Sequence, residues 1–341
     1  MFIIQGEKMD KFLAFGEILI RFTPKENNTY FNGNIMEYYY GGSEANIVTM
    51  LSGLGIDSYI LSAIPDNDLC KDVEGYFKGM GVNTEKVIRK GEKMGMYFSE
   101  RGTGIRASSV IYDRKHSSFS QLEKKDIDFN SILEGITWFH FSGITAAVSE
   151  NVREVLKELI CEAKARGITI SMDLNYRSKM WGVKEAKDFL SEIAPNVDIC
   201  FGIEPIKASE NDYDLFSREK SSIQDIEERM KAIKELYDFK YIFHTERKND
   251  TQDNNSYHAY AYSDKLYDSI TLKTRMIERI GSGDAFVAGI IYSLMKKYSL
   301  QEAINFGVGA ATLKCTIKGD QMHVSEENIK SIADMKIEIN R

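Results

Sequence analysis

Glu278-Arg279-Ile280-Gly281-Ser282-Gly283-Asp284-Ala285-Phe286 joins an extended segment to a helix, and its reading governs the rest of the chain. Upstream, residues Tyr267 to Ile277 are rich in Ile, Leu, Thr and Tyr, as an extended segment should be. Downstream, residues 285–295 are apolar nearly all round, which suits a buried helix. Gly281 and Gly283 therefore fall where a strand gives way to a helix N-terminus. Bare backbone there lets several N–H groups point at one anion, helped by the helix dipole. Asp284 is the odd member. A carboxylate inside an anion cradle repels phosphate unless it faces a neutral hydroxyl about to attack that phosphate. Taken locally, the residues also spell a tight turn followed by a dipole-compensating Asp. Their combination points to phosphoryl transfer to an alcohol.

The 341 residues suffice for one large α/β domain with a small appendage, or for two ordinary domains. With 43% hydrophobic and 28% charged residues the chain is of ordinary globular composition. The balance of 44 Lys and Arg against 51 Asp and Glu gives a net charge of −7, which argues against nucleic acid as a partner. No apolar run approaches the ~18 residues of a membrane span, so no membrane partner is expected. Residues 1–9 lack the basic start and apolar core of a signal peptide and read as an N-terminal extension, with Met9 an alternative to Met1 as the start. Cys70, Cys161, Cys200 and Cys315 show no metal-ligand spacing. Cys161 and Cys200 lie in apolar segments and are expected to be buried thiols, in a reducing cytoplasm.

Strand and helix patterns alternate for most of the chain. Phe12 to Phe22 reads as a buried first strand, and Glu44 to Leu54 as a helix ended by Gly55. Tyr59 to Ile64 is the next strand, with a helix to about Met80. Later pairs are Trp138–Ser142 with Val152–Ala165, and Ile168–Asp173 with Val183–Ile193. After them come Asp198–Ile203 with Ile223–Tyr237, and then Lys240–Thr245. Such alternation predicts an α/β fold, a mostly parallel central sheet with helices on both faces, whose ligands bind beyond the carboxyl ends of the strands. Two stretches break the pattern. Segments near 20–40 and 95–120 hold short alternating runs without helices, predicting a small β-strand projection from a main domain of residues 10–335. Thr245 to Asn255 reads as an exposed Asn/Asp-rich loop. Ser299-Leu300-Gln301-Glu302 spells a capping box that starts a helix.

Gly41-Gly42-Ser43-Glu44-Ala45-Asn46 opens a helix after the aromatic run 38–40; on its own it is a glycine turn with Ser43 as N-cap, except that Asn46 stands uncompensated on an apolar face. Together with the segment around Asp284, this order resembles the ribokinase-like (phosphofructokinase-B) carbohydrate kinases. Their C-terminal signature is usually Asp-Thr-x-Gly-Ala-Gly-Asp-Ala-Phe; here Glu278 and Arg279 replace the first two residues. The Arg-Ile-Gly-x-Gly-Asp spelling is similar to that of the 2-keto-3-deoxygluconate kinases. So are Met94–Phe98, Val110–Arg114 and Asp173–Trp181.

The resemblance implies a ribokinase-like fold whose small β-projection is a lid, and phosphorylation of a sugar acid's terminal hydroxyl by ATP with Mg2+. Asp284 would take the hydroxyl proton, with Gly281, Ser282 and Gly283 cradling the phosphoryl group. Gly42, Asn46, Tyr97, Tyr112, Arg114, Arg177 and Asp320 would hold the substrate, the arginines through its carboxylate. Read alone, Gly319-Asp320 is a turn, and an Arg following an Asp at a strand end, as at Arg177, also fits a structural ion pair. Nucleotide contacts would come from Gly281, Gly283, Thr245, Asn305 and Gly309, although Gly309 also fits helix packing. Glu204 and Glu278 would stand near the metal. Here the chain departs from the family, which often carries Asn-x-x-Glu where this sequence has Ile203-Glu204-Pro205-Ile206. The resemblance further implies a homodimer or higher homo-oligomer through the lid. A fructokinase- or ribokinase-type neutral sugar kinase, or a non-catalytic sugar or nucleotide sensor, are the competing readings.

Overall fold

The computed structural model describes residues 10–217, 220–250 and 254–335; the extension expected over 1–9, with the choice between Met1 and Met9, lies outside them. The chain runs from β1 (Lys11–Phe15) through β2 (Leu19–Pro24) and β3 (Met36–Gly41) into α1 (Ser43–Gly53). Then follow β4 (Asp57–Ile64), α2 (Asp68–Gly79), β5 (Val87–Arg89), β6 (Gly95–Glu100) and β7 (Ser109–Asp113). The middle comprises α3 (Phe129–Leu133), β8 (Trp138–Ser142), α4 (Gly143–Ala146), α5 (Glu150–Ala165), β9 (Thr169–Asp173), α6 (Val183–Ile193), β10 (Ile199–Phe201) and α7 (Ile223–Tyr237). Last come β11 (Tyr241–Asn249), β12 (Asn254–Tyr262), β13 (Leu266–Asp268), β14 (Leu272–Arg275), α8 (Ser282–Met295), α9 (Leu300–Lys314) and α10 (Glu326–Ala333).

Strands β5, β4, β1, β8, β9, β10 and β11 lie side by side and parallel. At the far edge β12 turns antiparallel, paired in turn with β13 and β14. Each inner strand is buried on both faces, and β1 shows why its register is fixed. Phe12 and Ala14 enter the core beneath α1, α8 and α9, whereas Leu13 and Phe15 enter the core beneath α5 and α6. A slip of one residue would exchange the two sets, and each buried large side chain contributes about 1.5–3 kcal/mol.

Most helices start on a side-chain cap. Asn67 accepts from the Cys70 N–H, and Ser299 with Glu302 forms the capping box its spelling predicts. In contrast, α1 and α8 begin at Gly42 and Gly281 with no side-chain cap, so no side chain of the cap residue occupies their first-turn N–H groups.

A second, four-stranded sheet, ordered β3-β2-β6-β7, stands apart from the main one. In it Tyr39, Arg21, Tyr97 and Tyr112 are cross-strand neighbours in one row, and Tyr38, Phe22, Phe98 and Ile111 form the adjacent row. Successive residues of a strand point to opposite faces, so this sheet has one polar, aromatic face and one apolar face.

Four expectations are corrected. Phe12 to Phe22 is not one strand. The chain leaves the central sheet at Gly16, where a Cβ would lie 2.2 Å from the Glu44 carboxylate, and re-forms as β2 in the small sheet. Thr245 to Asn255 is not a loop but the ends of β11 and β12, because Thr245, Arg247 and Tyr257 alternate across an antiparallel ladder. Residues 251–253 lie outside the described set. Tyr267 to Ile277 divides into β13 and β14, both short and paired to β12. Cys161 is exposed on α5, while Cys70, Cys200 and Cys315 are buried; all four thiols are free.

Candidate active site

A cleft of about 1200 Å³ opens where β9 and β10 end, at Asp173 and Phe201, roofed by the small sheet and floored by the starts of α1 and α8. It lies at the carboxyl edge of the parallel strands, where open α/β sheets place ligands.

At the floor stands Asp284, in the first turn of α8. Its carboxylate accepts from Ser43 Oγ at 2.8 Å and from Asn46 Nδ2 at 2.7 Å. Asn175 Nδ2 in turn donates to Ser43 Oγ at 2.9 Å, orienting that hydroxyl toward the carboxylate. Burial pushes the Asp284 carboxyl above the usual carboxylate range, and the bonds from Asn46 and Ser43 and the charge of Arg177 draw it back. Asp173 is pushed up to about 7 by burial and then by the charge of Asp284. Asn46 is buried, and its Oδ1 has no partner among the described residues. It is an acceptor aimed at a cleft that a hydroxyl donor would satisfy.

Gly281 and Gly283 differ in what they do. Gly281 is left-handed (φ 82°), and a Cβ on it would lie 2.0 Å from the Asp320 carbonyl oxygen. Only glycine fits. A Cβ on Gly283 would meet nothing within 4 Å, so this residue presents bare backbone to open space. The Ser282 N–H is used within the turn, donating to the Arg279 carbonyl at 3.2 Å, and its buried hydroxyl receives Arg247 Nη1 at 3.4 Å. Of the expected amides, that of Gly283 is therefore an orphan donor of the first turn, joined by that of Asp284, which is not among those expected.

The polar row of the small sheet faces the same cleft. Tyr97 donates to Asp320 Oδ2 at 2.7 Å, and Arg21 Nε donates to Asp320 Oδ1 at 2.7 Å. Arg21 also reaches Glu278 Oε2 at 3.3 Å and stacks on Tyr39, 4.4 Å from its ring centre. Burial, reinforced by Asp320, raises the Tyr97 hydroxyl well above its ordinary value, so it is a donor at any working pH. Tyr112 lies beside it, ring centres 6.2 Å apart. Gly42 (φ 129°) lets α1 start against the Glu17 carbonyl, 2.2 Å from where a Cβ would be.

Several expected roles change. Arg114 lines the cleft but is buried against Glu17, to which its Nε donates at 2.8 Å, so its charge is already compensated. Asp320 is in place, with both oxygens engaged by Arg21 and Tyr97. Thr245 lines the cleft; Asn305 and Gly309 do not. Asn305 Oδ1 accepts from the Ile270 N–H at 3.0 Å, and Gly309 admits α10, with Ala333 3.1 Å from its Cβ position. Glu204 does not fit a metal. It is buried between Lys187 (3.3 Å) and Arg229 and also accepts from the Phe216 N–H at 2.9 Å. With Glu278 held by Arg21, both expected metal carboxylates face cations. Among the described residues no cluster of three His, Cys, Asp or Glu is placed to hold a metal ion.

The residues that sequence reading missed are Arg21, Asn175 and Asp173 as members of the site, and Ser43, taken as an N-cap although its hydroxyl belongs to Asp284. Arg177, as expected, reaches the cleft. Its guanidinium is exposed, donates to the Tyr176 carbonyl at 3.0 Å, and forms no ion pair among the described residues.

A carboxylate fixed by Ser43 and Asn46, beside an uncapped helix start and guanidinium groups without a carboxylate partner among the described residues, is an arrangement suited to phosphoryl transfer to an alcohol. The chain belongs to the pfkB family of carbohydrate kinases, whose family model matches residues 9–327. A 2-dehydro-3-deoxygalactonokinase from Haloferax volcanii is 27% identical over 320 residues, covering 94% of this chain and 95% of that protein. The crystal structure of a 2-dehydro-3-deoxygluconokinase from Thermotoga maritima is 30% identical, covers 96% of this chain and 98% of that one, and matches with a TM-score of 0.90. A putative ribokinase II from E. coli, solved in complex with ATP and Mg2+, shares the fold at 20% identity and a TM-score of 0.77, covering 96% of this chain and 100% of that one. This is a sugar kinase of ribokinase-like fold, related to the kinases of 2-keto-3-deoxy sugar acids.

Proposed function

We propose that the chain phosphorylates the terminal hydroxyl of 2-keto-3-deoxygluconate or its galactonate epimer, with ATP as donor. Arg177 carries this reading. Arg21 and Arg114 are neutralised by carboxylates, whereas Arg177 offers a planar fork inside the cleft that has no ion-pair partner among the described residues and is fitted to a carboxylate. Neutral sugars have no use for it. The two relatives named for this substrate class support the same reading.

The acceptor hydroxyl donates its proton to Asp284 as its oxygen forms a bond to the γ-phosphorus. ATP supplies the phosphoryl group, and the bond from phosphorus to the bridging oxygen breaks with its electron pair leaving on ADP. Because the transition state is loose, the enzyme's share is positioning and charge stabilisation. Asn46 and Ser43 fix the carboxylate, Tyr97 and Asn46 Oδ1 meet sugar oxygens, and the Gly283 and Asp284 amides face the transferring group. Mg2+ belongs to such chemistry as a partner of the polyphosphate.

The test is ADP release with ATP and Mg2+ across a panel of sugar acids and neutral sugars. Turnover confined to acids, and lost selectively in Arg177→Ala, is the expected result. Equal turnover of ribose or fructose would transfer the assignment to the neutral-sugar kinases, and nucleotide binding without any phosphoryl transfer would leave a sensor.

The apolar row Tyr38-Phe22-Phe98-Ile111, with Tyr38 59% and Ile111 54% exposed, further supports a homodimer formed by two lids face to face, in a cytoplasmic setting that keeps the thiols free. Light scattering of wild type and Ile111→Lys tests this, with a monomeric variant expected.

A further inference from the structure

Around the start of α8, Glu278 and Asp320 have a cation partner, whereas two arginines have no carboxylate partner among the described residues. Glu278 and Asp320 are held by Arg21, and Glu204 by Lys187 and Arg229. Arg247 and Arg279 also line the cleft, both exposed, and neither pairs with a carboxylate among the described residues. Their positions are built. Arg247 is tied to Ser282 Oγ at 3.4 Å and lies over Tyr257, 5.6 Å from the ring centre. Arg279 is anchored through its carbonyl by the Ser282 N–H. Tyr257, fully buried beneath Arg247 and part of the cleft wall, has a hydroxyl without a hydrogen-bond partner among the described residues. Burial, and then the like charge of Arg247, makes the Arg279 guanidinium easier to deprotonate than usual. Two guanidinium groups that repel each other, neither paired with a carboxylate among the described residues, disfavour the empty protein and favour it once an anion bridges them.

Resting on the sugar-kinase reading, we infer that Arg247 and Arg279 neutralise the donor's polyphosphate directly, and that a divalent metal arrives on the nucleotide oxygens rather than being held by protein carboxylates. Metal would then assist the transfer without being required for the nucleotide to bind.

Calorimetric titration of the full chain with ATP, in EDTA and in Mg2+, tests this. Wild type is expected to bind metal-free ATP within about tenfold of the magnesium complex, more weakly as salt rises. The double variant Arg247→Gln/Arg279→Gln is expected to lose about a hundredfold in metal-free affinity, roughly tenfold per charge-assisted contact, with adenosine binding unchanged. Arg279→Lys should fall between, since it keeps the charge and loses the fork. A wild type more than tenfold weaker without metal, or a double variant that binds metal-free ATP as wild type does, would overturn the inference. So would loss of adenosine binding, which would make the arginines supports of the fold. A sugar panel that fails while this binding pattern holds would remove the substrate reading alone. A panel that succeeds without arginine dependence of metal-free binding removes only the present inference.

Discussion

At the end of the cleft proposed to take the sugar, the carboxylate of Asp284 is gripped by Ser43 and Asn46, and that of Asp320 by Arg21 and Tyr97. At the end proposed to take the nucleotide, Arg247 and Arg279, like Arg177 elsewhere in the cleft, stand without carboxylates among the described residues. The contrast follows from what each end must hold. A neutral hydroxyl is bound by groups already satisfied and fixed, because only geometry is asked of them. A polyphosphate brings several negative charges, and a site that had already matched its own cations would have nothing left to offer.

The largest expected effect breaks the acceptor end. Asp284→Asn should lower kcat by about a thousandfold while ATP affinity, measured by calorimetry, moves little. Near-normal turnover would remove Asp284 from the reaction. Arg177→Ala comes next, with KM for sugar acids raised ten- to a hundredfold in steady-state assays and turnover at saturation far less affected. The glycines sharpen the contrast further. Gly281→Ala forces a Cβ against the Asp320 carbonyl in a left-handed backbone and should lower the melting temperature by several degrees. Gly283→Ala should leave melting unchanged and weaken nucleotide binding, because its Cβ would occupy the open cradle. Equal effects of the two would mean that both are merely turn residues.

The smallest effect concerns pH. Asp173 has a folded value of about 7 against ~3.9 unfolded, so between these limits the folded chain keeps a proton that the unfolded chain releases. Stability therefore falls as pH rises from about 4 to 7 and levels off above. Melting temperatures of Asp173→Asn should show a flatter slope across that window; an unchanged slope would place the titration elsewhere.

Local chemistry was legible in the chain, and long-range pairing was not. Gly281 to Asp284 could be read because cradle and carboxylate are neighbours in sequence, and Asn46 because a polar residue on an apolar helix face asks for a partner. Arg21 could not be read. On its strand it looks like any solvent-facing basic residue, and the acid that defines it lies 299 positions away. Glu204 misled for the same reason: a lone acid at a strand end looks like a metal ligand until Lys187 and Arg229 are folded against it. Asn305 looked available to a nucleotide, yet it satisfies the Ile270 N–H across 35 positions. The alternating layers were read with few errors, since buried strands and amphipathic helices announce themselves over windows of ten residues. The ends of strands were misjudged where, as at Gly16, a contact from elsewhere bends the chain.

Glu17 gives the molecule a joint. The small sheet consists of two excursions from the main body, one leaving just after Gly16 and returning at Gly42, the other opening at Gly95 and closing at Arg114 and Ser117. All four roots meet Glu17. It begins the first excursion itself, its carbonyl packs on Gly42, and its carboxylate abuts Gly95 while receiving Arg114 and Ser117 Oγ. What lies beyond this joint can be lengthened, shortened or resurfaced without disturbing the strand order beneath. New substrate preferences can thus evolve on the outboard piece while the machinery that handles the nucleotide is inherited intact.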